Sequence, residues 1–282
     1  MKRIFLSCVF TLFAIAISFA QSTPKTILWE VSGNGLKQSS YVLGTFHILC
    51  EEDLVIKDKI QRAIETTEQL TLEVNLTDPN ELKDIQSLMI AEKPLSAQLS
   101  LNEIDELKSV LKKEYGRELS EVDNMSMFGL MSLMIGKTIT CSAKGFDMEV
   151  LQLAIQKGNK IAGLEHLNDQ IKLLDKMYTA KEIVEQLKQV GNYVDNFKEM
   201  KQAFINEDID ALYVYGTDPE FMSVEAKKAL LDDRNNNWLQ QMPAMMKDKA
   251  TLFAVGSAHL GGENGVLNLL KKRGYKVTPV LN

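Results

Sequence analysis

Three histidines, His47, His166 and His259, are all the imidazoles in this 282-residue chain. Two of them share a local pattern. In Tyr41-Val42-Leu43-Gly44-Thr45-Phe46-His47 and in Phe253-Ala254-Val255-Gly256-Ser257-Ala258-His259, an apolar run ends in glycine and a histidine stands three positions later. Glycine lets the end of a strand turn sharply without a Cβ penalty, and the residues beyond it project toward the carboxyl rim of a parallel sheet, where α/β folds bind ligands. Two neutral imidazoles delivered there from neighbouring strands suit one divalent metal ion. Glu73 is the third candidate, because a carboxylate within the apolar run Leu70–Leu76 is costly to bury unless paired or metal-bound. Such an ion, with Mn, Co and Zn as the candidates, would lower the pKa of a bound water from about 15.7 toward ~7 and so supply a nucleophile at neutral pH. Glu73 would then ligate or act as general base, and the residue types leave both open. The competing reading makes each histidine a satisfied structural residue and places Glu73 on a solvent-facing edge strand. Doubling of the glycine-histidine pattern argues against it. His166 comes after a predicted strand beside Glu165 with nothing to repeat its context, which points to a surface or capping role. No HExxH is present, so a thermolysin-like site is excluded.

The elements that must position these residues lie at the two ends of the chain. Residues 26–47 read as a β-hairpin turning at Ser32-Gly33-Asn34-Gly35, then a helix over Asp53–Glu68 and a strand over Leu70–Leu76. At the other end, Thr251–Val255 reads as a strand, Gly256–His259 as a turn, Val266–Arg273 as a helix and Tyr275–Val280 as a last strand. Between them the chain is mostly helical. Ser100 and Glu103 form a capping box, Met125–Ile135 reads as a methionine-rich core helix, and Asp147 is placed to cap a helix that Gly158 stops. A short strand over Lys160–Leu164 precedes helical periodicity from Asn168 to about Met246. The expectation is one α/β domain, residues 21–282, in which two related β-α units build a central mixed sheet around a large helical insertion at about 80–250.

With 45% apolar and 25% charged residues the chain should fold around a true core. Lys2 and Arg3, the apolar run Ile4–Phe19 and the small residues around Ala20 read as a cleaved secretory signal over residues 1–20, with an uncleaved anchor as the alternative. Cleavage leaves 30 basic against 38 acidic residues, a net charge of −8, which disfavours nucleic acid or an anionic membrane surface as partner. The expected location is periplasmic or extracellular, with no membrane span after cleavage. Export puts Cys50 and Cys141 where disulfides persist, and a bridge between them or two free thiols are both open at this point.

The paired motifs Gly44–His47 and Gly256–His259, with Glu73 between them, resemble the TraB/PrgY/GumN family, which also contains the Tiki proteins. Leu28-Trp29-Glu30, Lys144-Gly145-Phe146-Asp147, Gly163-Leu164-Glu165 with Gln170 beyond it, and Arg234-Asn235 before Trp238 are similar to its GumN-like branch. The resemblance implies a metal-dependent hydrolase, a peptidase acting on peptides or proteins, with a fold like that of the erythromycin-esterase and ChaN-like proteins, and the signal segment makes it an exported one. Arg234 is the candidate for stabilising an oxyanion, because its planar, permanently charged fork suits that task, and Asn235 would help orient it. A solvated helix face is the competing reading for both. Asp147 stays a possible site residue beside its capping role. A non-catalytic periplasmic protein that captures a peptide or haem on the same rim is the alternative function.

Overall fold

A computed structural model describes residues 24–83 and 85–281; the signal segment inferred from sequence lies outside the described residues. The fold is mixed α/β. Six strands, β1 (Leu28–Ser32), β2 (Ser40–Thr45), β4 (Gln69–Val74), β6 (Lys160–Glu165), β7 (Thr251–Gly256) and β8 (Lys276–Pro279), form the main sheet; β3 (Leu49–Cys50) and β5 (Ala143–Lys144) form a separate two-stranded ladder. The order in the main sheet is β6-β4-β7-β2-β1-β8. β6, β4, β7 and β2 run parallel, and β1 lies antiparallel between β2 and β8.

The two ends of the chain thus meet at the centre of the sheet. β2 and β7 are parallel neighbours with Gly44 opposite Val255 and Thr45 opposite Gly256. Their continuous apolar sequences are what a strand covered on both faces requires. In β7, Thr251 to Val255 are all buried.

Most predicted elements form, with shifts that have local causes. The first helix spans Asp58–Thr66 rather than starting at Asp53, because Lys57 adopts an extended N-cap conformation after a short 3₁₀ turn at Glu51–Asp53. β4 stops at Val74, where the Asn75 side chain accepts hydrogen bonds from Thr77 and turns the chain. The capping box at Ser100 and Glu103 is present. The helix expected to be capped by Asp147 starts at Phe146 with Gly145 as N-cap, so Asp147 sits in its first turn, where its Oδ1 accepts from the Met148 N–H at 3.1 Å. β6 reaches Glu165 and joins the main sheet beside β4, although it lies in the middle of the helical stretch.

One apolar cluster surrounds the sheet and a second, built around Leu107, Leu130, Ile183 and Leu187, lies within the helices between β4 and β7. The methionine-rich segment divides accordingly: Met127 and Met134 are buried in this second cluster. At the β8 edge of the sheet the first and last stretches of the described residues are pinned together. Thr26 Oγ1 donates to the Val280 carbonyl at 2.6 Å, and the buried Lys59 ammonium bridges Thr26, the Val280 carbonyl and the Glu207 carboxylate.

Candidate functional site

Because β2, β4, β6 and β7 run parallel, their carboxyl ends lie on one rim, and each brings one ionisable side chain to it. Glu73 is the penultimate residue of β4 and Glu165 the last of β6; His47 lies two residues past β2, and His259 closes the 3₁₀ turn Ser257–His259 after β7. The helix Arg234–Asp248 adds Arg234 and Asn235 from its first turn, directly after a π-helical turn at Lys228–Asp233. Such turns often mark functional positions, since they re-aim the side chains beyond them.

The two motif glycines do different things. A Cβ on Gly44 would come within 2.8 Å of Ser257 Oγ and 3.3 Å of Ser257 Cα, so glycine there lets the turn after β7 sit against β2. A Cβ on Gly256 would lie 3.3 Å from Glu73 Oε1, 3.5 Å from His259 Cδ2 and 3.8 Å from His47 Nε2. The space left open by this glycine is shared by the three predicted ligands.

Glu73 is held on both oxygens. Oε1 accepts from the Gly256 N–H at 2.7 Å, and Oε2 accepts from Arg234 Nη2 at 2.5 Å and from Gln170 Nε2 at 3.2 Å. Burial opposes its ionisation, but the Arg234 charge, helped by the neighbouring histidines and the Gly256 N–H, holds the carboxyl well below the usual range. Arg234 is the hub. Nε donates to Glu165, Nη1 to the Leu230 carbonyl at 2.9 Å and to His259 Nε2 at 3.2 Å, and Nη2 to both Glu73 and Glu165. All five guanidinium N–H groups are engaged, so in this arrangement Arg234 clamps two carboxylates rather than offering a donor to an oxyanion.

Asn235 attaches to His259 instead of to Arg234. Its Nδ2 donates to the Asn264 carbonyl at 2.9 Å, which leaves Oδ1 to accept from His259 Nδ1–H at 2.7 Å. His259 Nε2 therefore carries the lone pair, as its acceptance from Arg234 also requires. Burial disfavours the charged ring, with Arg234 and His47 acting in the same direction, and pushes His259 down to about 3. Trp238 packs on the ring with centroids 4.4 Å apart.

His47 is the exposed member, with 64% of its side chain accessible. Its Nδ1 bonds to Asp147 Oδ2 at 3.0 Å, and this direct contact raises its pKa to about 9 despite partial desolvation. Nε2 is left facing the open space beside Gly256. A cavity of about 170 Å³ adjoins it, lined by Thr45, His47, Glu73, Asp147, Met148 and Gln170 among others.

Donor types and charge fit a divalent ion. Both imidazoles have Nδ1 tied to an oxygen acceptor, which orients a histidine for binding a metal through Nε2, and a carboxylate lies 3.9 Å from His259 Nε2. Three carboxylates, those of Glu73, Glu165 and Asp147, against one guanidinium leave a formal excess of two negative charges, of which the protonated His47 ring offsets one; an ion at Nε2 would take the place of that proton. Two features stand against it as arranged. Arg234 Nη1 covers His259 Nε2, and among the described residues His47, His259 and Glu73 do not gather ligand atoms within 4.8 Å of one another. The group that does, Cys50, Glu52 and Cys141, has both sulfurs in a disulfide.

Glu165, Gln170 and the His47–Asp147 contact complete the site beyond the residues assigned to it from sequence. Glu165 and Gln170 carried a signal, since a second acidic strand end appears in Gly163-Leu164-Glu165 with Gln170 one helical turn on. His166 lies at the surface, its Nδ1 bonded to Glu81 at 2.7 Å and its side chain 76% exposed.

A family model described as the TraB/PrgY/gumN family matches residues 27–279. No curated protein and no solved structure matches the chain.

Proposed function

From the membership of this chain in the TraB/PrgY/gumN family, and from the rim that joins His47, Glu73 and His259, we propose that the protein is an exported metal-dependent hydrolase cleaving peptides or proteins. The observation that carries this reading is the convergence of two histidines from opposite ends of the chain on the open space beside Gly256, next to a carboxylate and a cavity. His47 Nε2, His259 Nε2 and Glu73 are the residues that would hold a divalent ion of the Mn, Co or Zn type. Bound there, it would polarise a carbonyl and acidify water. The chain's own residues supply the rest. His47 presents Nε2 to the cavity side, while Asp147 fixes Nδ1 and so the orientation of the ring. Arg234 keeps Glu73 ionised and holds both Glu73 and Glu165 in place, and Asn235 fixes the tautomer of His259. Leu72, Val74, Leu76 and Met148 give the cavity apolar walls against which a substrate side chain can rest.

Export to the periplasm or beyond belongs to the same proposal; the disulfide supports it, and no helix among the described residues is long and apolar enough to cross a membrane. So do placement in the GumN-like branch and kinship of the sheet with the erythromycin-esterase and ChaN-like arrangement.

The test is digestion of a peptide library by purified protein with Mn²⁺, Co²⁺ or Zn²⁺, scored against His47→Ala, His259→Ala and Glu73→Gln. Cleavage lost in all three folded variants supports hydrolysis at this rim; cleavage that persists in them overturns it. A second reading, capture of a peptide or haem without turnover, is favoured by the complete internal bonding of Glu73 and Arg234, which leaves the His47 edge as the reactive opening. Saturable binding with no cleavage of any library member would select it.

A further inference from the structure

Asp147 reaches His47 across two short segments joined by few backbone contacts. β3 and β5 pair through only Leu49 opposite Lys144 and Cys50 opposite Ala143. Beyond that ladder, the Glu51 N–H donates to the Ser142 carbonyl at 2.9 Å and the Phe146 N–H to the Phe46 carbonyl at 3.1 Å. The approach is close enough that a Cβ on Gly145 would lie 3.0 Å from the His47 carbonyl. Apolar packing anchors the neighbours of the pair, since Phe46 and Phe146 are buried against Phe204 with ring centroids 5.3 and 5.0 Å away, but it thins out at the ladder, where a cavity of about 300 Å³ is lined by Ile48, Leu49, Cys50, Cys141 and Phe197 among others. The ion pair of Lys144 with Glu51 is exposed and adds little. The covalent link is Cys50–Cys141, with Cα atoms 5.6 Å apart. His47 stands three residues before one cysteine and Asp147 six residues after the other.

We propose that the Cys50–Cys141 bridge is a positioning element of the site: it locks the loop after β2 against the segment before the helix Phe146–Lys157, and so keeps Asp147 Oδ2 on His47 Nδ1 and the ring edge turned to the cavity. The proposal rests on reading His47 as a site residue. His259, anchored by Asn235 and Trp238 on the other side of Gly256, is independent of the bridge.

The chain has three histidines, so ¹⁵N labelling of their rings gives a spectrum simple enough to read each one. In the exported protein lacking the bridge, Cys50→Ser/Cys141→Ser, the His47 ring-nitrogen signals should shift toward those of an Asp147→Asn variant while the His259 signals stay in place. Adding Asp147→Asn to the bridgeless protein should shift them no further. Unmoved His47 signals in the folded bridgeless protein overturn the proposal. So does a joint shift of His47 and His259, which reports general loosening rather than positioning. Should the double variant fail to fold, reduction of the folded wild-type bridge with dithiothreitol and alkylation of the thiols gives the same reading. The measurement needs neither turnover nor a bound ion, so failure of the hydrolase reading and failure of the positioning role are separately visible.

Discussion

At the scale of single residues, the site separates two imidazoles by environment. His259 is buried and held neutral down to about 3, whereas an unfolded chain protonates histidine near 6.5. The unfolded state therefore binds a proton that the folded state refuses throughout that interval. Its contribution to stability is whole above about pH 6.5 and is lost as the pH falls toward the folded value. His47 has the opposite sign. Its folded pKa is raised to about 9, so its contribution is whole below the unfolded value and is lost as the pH rises through about 9. Thermal melts between about pH 7 and pH 4 should show a falling midpoint, and His259→Gln should flatten that slope. An equal slope in both proteins would assign the acid sensitivity elsewhere, to groups such as Glu73 whose folded pKa is also depressed.

At the scale of elements, the site depends on how β2 and β7 dock, and Gly44 sets that distance. Its missing Cβ would meet Ser257 Oγ at 2.8 Å, in the turn that also bonds Ser257 Oγ to the Thr45 carbonyl. Gly44→Ala should therefore destabilise the protein by about 1–3 kcal/mol through overpacking and move the His259 turn. A guanidinium chloride midpoint and the His259 ring signals check this; an unchanged midpoint would mean that the turn yields freely. This docking was legible in the sequence because glycine-ended apolar runs announce strand ends, and a histidine three positions on announces a rim residue. The Glu165–Arg234 contact was not legible to the same degree. It depends on β6 pairing with β4 in the register that sets Val74 opposite Glu165, and on a π-helical turn aiming Arg234 at the rim. Neither leaves a local period in the sequence. The β3–β5 ladder has two residues per strand, too few for any alternation to show.

At the scale of the whole molecule, the pinning of Thr26 to Val280 matters most. Thr26 and Val280 are hydrogen-bonded, β1 lies beside β8, and Lys59 ties both to Glu207. A circular permutant that joins residue 281 to residue 25 through a short glycine-serine linker, with new ends opened in the 217–223 loop, should fold and melt within a few degrees of the parent. A permutant that fails to fold would show that free ends are needed for the β1–β8 edge to form. In that permuted order His259 would precede His47, with fewer than fifty native residues between them. The long sequence gap between the two motifs is then a matter of where the ring of secondary structure happens to be cut. Traced through the pinned ends, the two glycine-histidine turns are close neighbours on a nearly closed circuit.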